Sequence, residues 1–349
     1  MEPSVDTIIE SCKSAPREQR TSMENLISKA RAEARSNSLH NEITGLIERA
    51  KVAQPYAPFG QDGYGQPRGM RRQPAAAMTT INLREAQLSS LFDKDGKLRR
   101  VPNATLAANS VTLDTAIIAN SRIAEAGASV IVYREMDKAH PTGPAGALAI
   151  ERRPGSLRSV EAGKFAVVAD DGDALTSAFP IKAADIEITD SPSRALRFEF
   201  TRREQKSVTP DIFGAEIAAA VTLGVARAAD EILLTALAAA GLADFSLASV
   251  AAKGLGFSDL RALIGTAANG AAIGADGVLR AGGIAGTLTS EMAGTIVGAW
   301  DRTAVAIHED LPVMFERTNL NGKLVVTAWL NAVAVIPDKT FLFNVPAAP

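Results

Sequence analysis

The chain has 349 residues, of which 46% are hydrophobic and 22% are charged, and its formal net charge at pH 7 is -2. This composition predicts a folded chain with a buried core and length for about two or three domains, and it excludes global disorder. The near-neutral charge argues against a protein built around a broad basic surface for nucleic acid. Cys12 is the single cysteine, so no internal disulfide is expected and nothing indicates an oxidising compartment.

Two features set the expected compartment. The first residues, Met1 to Asp6, lack the basic and apolar blocks of a signal peptide. The sequence also contains no run of eighteen apolar residues, so a membrane-spanning helix is not expected. We therefore predict a protein that is made and kept in a cytoplasm and has no membrane partner.

Residues 1–52 are predicted to be helical. Their apolar residues recur mostly three or four positions apart, which is typical of an amphipathic helix, and eight basic and eight acidic side chains accompany them. The sequence Arg35-Ser-Asn-Ser38 indicates a break between two helices. Two interpretations stay open: a short helical hairpin packed on the body, and a detachable assembly segment.

Residues 53–78 are dense in Pro, Gly and Gln. Such a segment buries too little apolar surface to offset the entropy of ordering it, so we predict an extended or disordered linker. Arg68, Arg71 and Arg72 make it locally basic, which fits either plain solvation or contact with nucleic acid or a partner.

Residues 79–150 carry mixed helix and strand patterns. Positions 112–125 predict a helix that Gly127 ends, and a strand follows from Ser129. The stretch 140–146 is rich in Pro and Gly and predicts a turn-rich break.

Residues 151–206 are the most charged part of the chain, with twenty Asp, Glu, Lys and Arg residues in 56 positions, against seven in sixty for 241–300. Strand patterns at 165–168, 185–189 and 196–201 predict a long two-stranded excursion. Isolated hairpins are marginal in water, so this arm needs a surface to lie on, which a neighbouring subunit can supply. The alternative is an exposed sheet edge that charge keeps soluble.

Residues 207–240 predict the clearest element, a helix of about thirty residues that spans roughly 45 Å. Pro210 and Asp211 mark its start, with Asp211 as the N-cap, and Gly241 marks its end. Its predicted apolar stripe consists of Phe213, Ile217, Val221, Val225, Ala228, Ile232 and Ala236.

Residues 241–349 combine a Gly- and Ala-rich part with a β-rich end. The first part predicts short helices, one of them at 257–264. The last fifty residues predict strands at 303–308, 312–317 and 323–336, with Asn321-Gly322 as a type I′ hairpin turn, and a short final strand from Lys339.

The sequence holds no local motif of a catalytic or metal centre. The three histidines lie far apart, at His40, His140 and His308. No zinc-protease, nucleophile-elbow or phosphate-loop pattern occurs. Asp170, Asp171 and Asp173 lack the Gly and Glu of a calcium loop and fit a solvated turn better than a cation site. We expect no enzyme activity, no cofactor and no metal, although a dispersed active site leaves no local motif.

The order of these elements resembles the major capsid proteins of tailed bacteriophages, which have the Hong Kong ninety-seven type fold. The passage Phe198-Glu-Phe-Thr-Arg-Arg-Glu204 and the later Ala228-Ala-Asp-Glu-Ile-Leu-Leu234 are similar to the family's strand and spine helix. Val335-Ile-Pro-Asp-Lys-Thr-Phe341 is similar to its C-terminal pattern. The resemblance covers about 150–343.

The resemblance implies an α+β fold with a spine helix, an extended β-hairpin called the E-loop, a P-domain and an A-domain. The implied organisation is a delta-type scaffolding segment (1–52), a linker (53–78), an N-arm with the first P-domain part (79–150), the E-loop (151–206), the spine helix (207–240) and the A-domain with C-terminal strands (241–349). The linker near 70–80 would be a natural cleavage zone for a prohead protease.

The implied function is self-assembly, through pentamers and hexamers, into the icosahedral head shell of a tailed phage. The shell would enclose the DNA genome without sequence-specific binding. The protein would thus belong to the virion and be assembled in the host cytoplasm. Portal, prohead protease and decoration proteins would be further partners.

Charged residues of the arm are the predicted contacts between subunits, because charged pairs set register and partner more than affinity. They are Arg152, Arg153, Arg158, Lys164, Asp170, Asp171, Asp173 and Lys182.

Other functions stay open. An encapsulin-like nanocompartment shell shares the implied fold and would hold cargo peptides in place of DNA. An enzyme with a dispersed active site would behave as a small oligomer with a deep pocket. A tail-tube or other virion protein is disfavoured because that class is mostly β-sandwich.

Overall fold

A computed structural model describes residues 38–51, 56–61, 67–72, 76–89, 91–98, 110–134, 137–142, 147–152, 155–163, 165–168, 173, 176–188, 191–317 and 322–347. The predicted first N-terminal helix lies outside these residues. Within them the α-helices are α1 (Ser38–Lys51), α2 (Leu113–Asn120), α3 (Arg122–Ala126), α4 (Arg202–Ser207), α5 (Pro210–Ala239) and α6 (Leu247–Ala252). Short 3-10 helices cover Phe257–Asp259, Trp300–Arg302 and Lys339–Phe341.

Strands account for most of the remaining regular structure, and together with the helices they confirm the predicted α+β class. In the described residues they are β1 (Tyr56–Gln61), β2 (Pro67–Arg72), β3 (Ala76–Asn82), β4 (Gln87–Ser89), β5 (Ser110–Thr112), β6 (Ser129–Tyr133), β7 (Asp137–Thr142), β8 (Ala147–Arg152), β9 (Gly155–Val160), β10 (Ile181–Ile186), β11 (Arg194–Phe200), β12 (Ala243–Asp244), β13 (Arg261–Ile264), β14 (Ala271–Ile273), β15 (Leu279–Ala281), β16 (Ile284–Leu288), β17 (Thr295–Gly298), β18 (Ala304–His308), β19 (Asp310–Arg317), β20 (Leu324–Leu330), β21 (Ala332–Val335) and β22 (Leu342–Val345).

The chain divides into two compact units, each assembled from three stretches of sequence. Unit 1 consists of Met1–Ala116, Arg197–Thr222 and Pro312–Ala328, and unit 2 consists of Ile117–Leu196, Leu223–Leu311 and Trp329–Pro349. The long helix α5 contributes its first half to unit 1 and its second half to unit 2.

Unit 1 is built on a four-stranded sheet in the order β11-β20-β19-β3. Leu196, Phe198 and Phe200 share one face of β11, as their alternation predicts. The ring of Phe200 meets that of Phe213 on α5 edge-on, with the ring centroids 4.9 Å apart. This aromatic pair joins the end of β11 to the beginning of the long helix.

Helix α1 is part of the body of unit 1. Its apolar residues Ile43, Leu46, Ile47 and Ala50 are all buried, and the helix contacts strands β3 and β4. The hydroxyl of Thr79 on β3 donates a hydrogen bond of 2.5 Å to a carboxylate oxygen of Glu42. Packing on the body, one of the two interpretations of residues 1–52, therefore holds for α1. If the chain were cut at 70–80, these contacts alone would keep α1 attached to the body.

Two further hairpins occupy segments that the sequence predicts as irregular. Strands β1 and β2 pair antiparallel, with Tyr56 opposite Arg72, inside the predicted linker. Strands β7 and β8 pair with Asp137 opposite Arg152, across the predicted turn-rich break. Pro58, Pro67 and Pro141 lie at strand positions of these isolated pairs, where a missing ladder hydrogen bond costs least.

Unit 2 contains a seven-stranded mixed sheet in the order β12-β22-β17-β13-β16-β15-β14. Strand β13 lies inside this sheet and pairs parallel with β16 and antiparallel with β17. The prediction of a helix at 257–264 is therefore wrong, because a short apolar run fits a buried strand as well as a helix. This unit also contains a three-stranded sheet in the order β21-β18-β6.

Helix α5 has a start that differs from the prediction and an end that agrees with it. Asp211 lies within the helix and is not its N-cap, because Pro210 already occupies the first helical position, where its missing N–H does no harm. The carbonyl of Thr209 accepts the first helical hydrogen bond, from the N–H of Phe213. Gly241 follows the helix with φ +64, the left-handed conformation predicted for it.

The buried face of α5 drifts along the helix. Phe213, Ile217, Val221 and Val225 are buried as predicted, whereas the later predicted positions Ala228, Ile232 and Ala236 are half-buried. Their places in the core are taken by Ala226, Ala229, Leu233, Leu234 and Leu237. The drift arises because the two halves of the helix pack in different units.

By length and composition, Ile212–Ala239 could cross a membrane, with a mean hydropathy of 1.5. However, 61% of the apolar 18-residue window within this helix is buried inside the fold. Its apolar side chains are thus used by the core, as in a buried helix of a non-membrane protein.

A buried carboxylate on α5 divides the helix that the sequence predicts at 112–125. Asp230, which is 3% exposed, accepts hydrogen bonds from the hydroxyl of Ser121 at 2.6 Å and from the backbone N–H groups of Arg122 at 2.9 Å and Ile123 at 3.2 Å. These N–H groups open α3, and Ser121 separates it from α2. The acceptor that divides the helix comes from a distant part of the sequence.

Burial raises the pKa of Asp230 and outweighs the hydrogen bonds from Ser121, Arg122 and Ile123, which lower it; the nearby charge of Glu291 raises it further. The folded state therefore binds this proton more tightly than the unfolded chain does. The stability that Asp230 contributes is largest in acid and falls as the pH rises through its raised pKa.

We predict that removing residues 1–37 leaves the body folded, whereas removing 1–51 lowers the free energy of unfolding by about 3 kcal/mol or more, because the apolar faces of β3 and β4 lose their cover. Thermal unfolding of both truncated chains checks this. Equal stability of the two would show that α1 is no part of the folded body.

We predict that Asp230→Asn lowers the free energy of unfolding by about 1–3 kcal/mol, because an amide offers one acceptor oxygen where α3 needs two. Glu231→Gln is the matched control on the next residue, and its partly exposed ion pair with Arg194 should be worth at most about 1 kcal/mol. Denaturant unfolding measures both variants.

The same two variants test the sign of the pH dependence. Relative to wild type, the deficit of Asp230→Asn should be larger in mild acid than at neutral pH, since only wild type gains the proton. A deficit that grows toward neutral pH would contradict the raised pKa.

Candidate assembly surface

The predicted arm begins as a hairpin of β9 and β10. The strands pair antiparallel, with Gly155 opposite Ile186 and Val160 opposite Ile181. Residues directly opposite each other share a face of such a pair. Leu157 and Ala184 therefore lie on one face, which we call the inner face, and Arg158 and Ala183 lie on the other, the outer face.

The inner face of the hairpin is anchored in unit 2. Ile186 and Ile188 are buried together with Ala304, Ala306 and Val335. Leu157 and Ala184 pack against the same cluster. The base of the arm is thus held by an apolar core beneath one face.

Tyr133 fixes the beginning of β9. Its hydroxyl oxygen accepts a 2.7 Å hydrogen bond from the N–H of Gly155. A Cβ at position 155 would lie 2.8 Å from a carbon of the Tyr133 ring, so only glycine allows this approach. The hydroxyl of Ser159 further along the strand accepts a hydrogen bond of 3.3 Å from Arg302.

Beyond the base, apolar side chains lie fully in solvent. Phe165 is 99% exposed, Val167 is 102% exposed and Phe179 is 76% exposed. Val160, on the outer face, is exposed as well. In unit 2, nothing that the structure describes covers these side chains.

Sequence reasoning missed the role of Phe165 and Val167. It predicts a strand at 165–168, whereas the structure has no regular secondary structure there. The prediction is wrong because a strand requires a partner strand in register, which an apolar pattern alone does not supply. The charged residues that flank 165–168 could have indicated this exposure, since a densely charged segment offers no apolar surface on which Phe165 and Val167 can pack.

The structure describes three of the eight predicted contact side chains. Arg158 is exposed on the outer face, and Asp173 is exposed in the arm. Lys182 lies opposite Ser159 on the inner face. The backbone of Arg152 belongs to β8, but its side chain lies outside the described part of the chain, as do Arg153, Lys164, Asp170 and Asp171.

The position of Lys182 is visible in its effect on Asp338. Burial would raise the pKa of Asp338, but hydrogen bonds from the N–H and hydroxyl of Thr340 and the charges of Lys182 and Lys253 lower it. Lys182 therefore acts on a carboxylate of its own unit, and the contact of Lys182, Arg158 and Asp173 with a neighbouring subunit stays a prediction.

Unit 2 also has a cleft of about 570 Å³ whose lining includes Arg122, Arg227, Asp230 and Glu291. Each charged group there has a structural partner. Arg227 pairs with Glu291 at 2.9 Å, and Arg122 pairs with Glu125 at 2.8 Å. Asp230 receives the N-terminus of α3. The arrangement holds loops and helices together rather than presenting a reactive group.

The histidines and acidic groups do not converge in the part of the chain that the structure describes. No group of three or more His, Cys, Asp or Glu residues there could hold a metal ion. His308 ends β18, and its Nδ1 accepts a hydrogen bond of 3.1 Å from the N–H of Asp310. His308 is thus part of the turn that follows β18.

No protein-family model matches the sequence, and no curated protein matches it. Among solved structures, the chain is similar to the capsid of an empty GTA particle, with 16% identity, 66% of this chain and 90% of that chain covered, and a TM-score of 0.42. It is also similar to the capsid of the cyanophage P-SCSP1u, with 10% identity and a TM-score of 0.38, over 72% of this chain and 93% of that chain. The virus-like particle from Pyrococcus furiosus is similar with 11% identity and a TM-score of 0.36, over 67% of this chain and 97% of that chain.

We predict that two aliphatic truncations in the arm change the free energy of unfolding by very different amounts. Ile188→Ala removes a fully buried side chain and should cost about 2–5 kcal/mol of unfolding free energy. Val167→Ala removes a fully exposed one and should change it by less than about 0.5 kcal/mol. Denaturant unfolding of unassembled protein measures both, and a comparable loss for Val167→Ala would show that the arm packs on its own chain.

Proposed function

We propose that this chain is the major capsid protein of a tailed bacteriophage. Its copies would self-assemble through pentamers and hexamers into an icosahedral head shell that encloses the DNA genome. The role is structural and uses no cofactor. The observation that carries the proposal is the arm, which is anchored on one face and holds large apolar side chains out in solvent.

The exposed residues of the arm support assembly on energetic grounds. Moving a Phe or Val side chain from water into a contact stabilises that contact by about 1.5–3 kcal/mol. Phe165, Val167 and Phe179 gain none of this within their own unit. Exposed apolar patches of this kind mark surfaces that a partner covers.

The anchored base supports the same proposal. An arm that contributes to a closed shell must leave its own subunit in a defined direction, because every copy meets its neighbour in the same way. The buried Ile186 and Ile188 and the Tyr133–Gly155 hydrogen bond provide this direction at the base. Fixing the base also lowers the entropy that the arm loses when it docks.

The partners follow from the proposed role. Copies of this chain would be the main partner, in a shell that belongs to the virion and is assembled in the host cytoplasm. A portal, a prohead protease and decoration proteins would meet the same shell. A nanocompartment shell is the second candidate, because an anchored arm serves any closed shell; particles that contain cargo protein and no DNA would favour it.

The first experiment uses the full chain expressed alone. Size-exclusion chromatography with light scattering, followed by electron microscopy of the high-mass fraction, should reveal capsomers of five and six subunits or closed shells. A monomer or dimer that never assembles, with its N-terminal segment intact, would overturn the proposal.

Within that assay, we predict that Phe165→Ser, Val167→Ser and Phe179→Ser together abolish large assemblies while thermal stability of the subunit stays within about 0.5 kcal/mol of wild type. The reason is that these side chains bury surface only between subunits. Deleting 165–190 is a poorer test, since it removes the buried Ile186 and Ile188 and would unfold the base.

Leu247→Ser with Phe257→Ser is the control, since both side chains are exposed apolar groups of unit 2 outside the arm. We expect this variant to assemble. Normal shells from the arm variant, or equal loss from both variants, would contradict the role assigned to the arm.

A further inference from the structure

A cluster of cations lies on the short helix α4 in unit 1. Arg202, Arg203 and Lys206 are exposed, and together with Ser207 they line a depression of about 700 Å³. None of the three forms an ion pair with a residue that the structure describes. We call Arg202, Arg203, Lys206 and the neighbouring Arg317 the basic patch.

Helix α4 is held rigidly, so the patch has a defined shape. Thr201 caps the helix, and both its N–H and its hydroxyl donate to the carboxylate of Glu204. The side-chain amide of Gln205 donates to the carbonyls of Phe200 and Gly322. These bonds tie α4 to the end of β11 and to the β19–β20 turn.

The carboxylates near the patch are already engaged. Glu204 completes the capping box, and the hydrogen bonds from Thr201 lower its pKa. Glu199 pairs with Arg197 at 3.0 Å and with Lys323 at 3.8 Å. The positive charge of Arg202, Arg203 and Lys206 is therefore left without compensation among the described residues.

Arg317, at the end of β19, lies beside the same turn as Arg202. Its Nη2 would lie 3.9 Å from a Cβ at Gly322, and Cδ of Arg202 would lie 4.0 Å from the same point. The two arginines thus flank one turn, where a carboxylate could accept from guanidinium groups, the donors best suited to it.

The arm carries the opposite charge. Residues 155–190 contain seven Asp or Glu, two Lys and one Arg, which gives a formal net charge of 3 - 7 = -4. Asp173, Asp185 and Glu187 are exposed. They form no ion pair with a residue that the structure describes. The arm and the basic patch therefore have matching excess charges of opposite sign.

We infer that the basic patch receives the acidic arm of a second copy of this chain. The inference rests on the proposed shell function, and it assigns a partner surface to the arm. Carboxylates of the arm accept from Arg202, Arg203, Lys206 and Arg317, while the exposed apolar side chains supply the contact area. The charges select the correct neighbour and register, since like charges in other registers repel.

Charge reversal on both sides tests the pairing in the full chain. The patch variant is Arg203→Glu with Lys206→Glu, the arm variant is Asp173→Lys with Asp185→Lys, and a third protein combines all four changes. The control is Lys94→Glu with Lys97→Glu, a reversal of equal size on exposed lysines of unit 1 away from α4. Particle yield is measured by light scattering and electron microscopy at low and high salt.

Each two-site variant should lose particle yield by about tenfold or more, and the combined variant should recover it, because the charges are exchanged but still complementary. Far-UV circular dichroism of the variants should match wild type. Yield of wild type should fall as salt rises, since the Debye length shortens from about 10 Å at 0.1 M to about 3 Å at 1 M.

Three results would overturn the inference while leaving the shell function intact: normal assembly of the patch variant, no recovery in the combined variant, or equal loss in the control. If the patch variant forms normal shells but its binding of double-stranded DNA, measured by gel shift, is lost, the patch serves phosphate groups instead. Failure of wild type to assemble would count against the proposed function itself.

Discussion

The hairpin of β9 and β10 has two faces, and among the residues that the structure describes only its inner face packs on the core of unit 2. The inner face of β9 and β10 packs on the cluster of Ile186 and Ile188, whereas the chain beyond it exposes Phe165, Val167 and Phe179. Two strands alone are too few to enclose their own side chains. These exposed side chains are the surface that a second copy would cover in the proposed function.

Polar groups, rather than apolar ones, define the junctions inside unit 2. Asp230 lies on the long apolar helix α5, where its carboxylate accepts from the backbone N–H groups at the start of α3. Burying a charge is costly unless its hydrogen bonds are satisfied. The site therefore specifies where α3 begins more than it stabilises the fold.

The two proposed contact surfaces use different physics. The apolar residues of the arm provide area, which is non-directional and would tolerate several registers. The basic patch around Arg203 and Lys206 adds sign and spacing, which exclude most of those registers. A closed shell requires both properties, since a single wrong register prevents closure.

The sequence by itself determined the local features whose causes are local. The left-handed glycines Gly127 and Gly241, the alternation of β11 and the long helix follow from backbone sterics and periodicity. It also indicated the charged segment 151–206, and the partner expected for that segment stays a prediction. Only the tertiary structure decided the rest: Asp230 divides the helix predicted at 112–125, and pairing with β16 and β17 makes 261–264 a strand. It also left Phe165 without a partner strand. These outcomes depend on residues far apart in the chain, so no local pattern contains them.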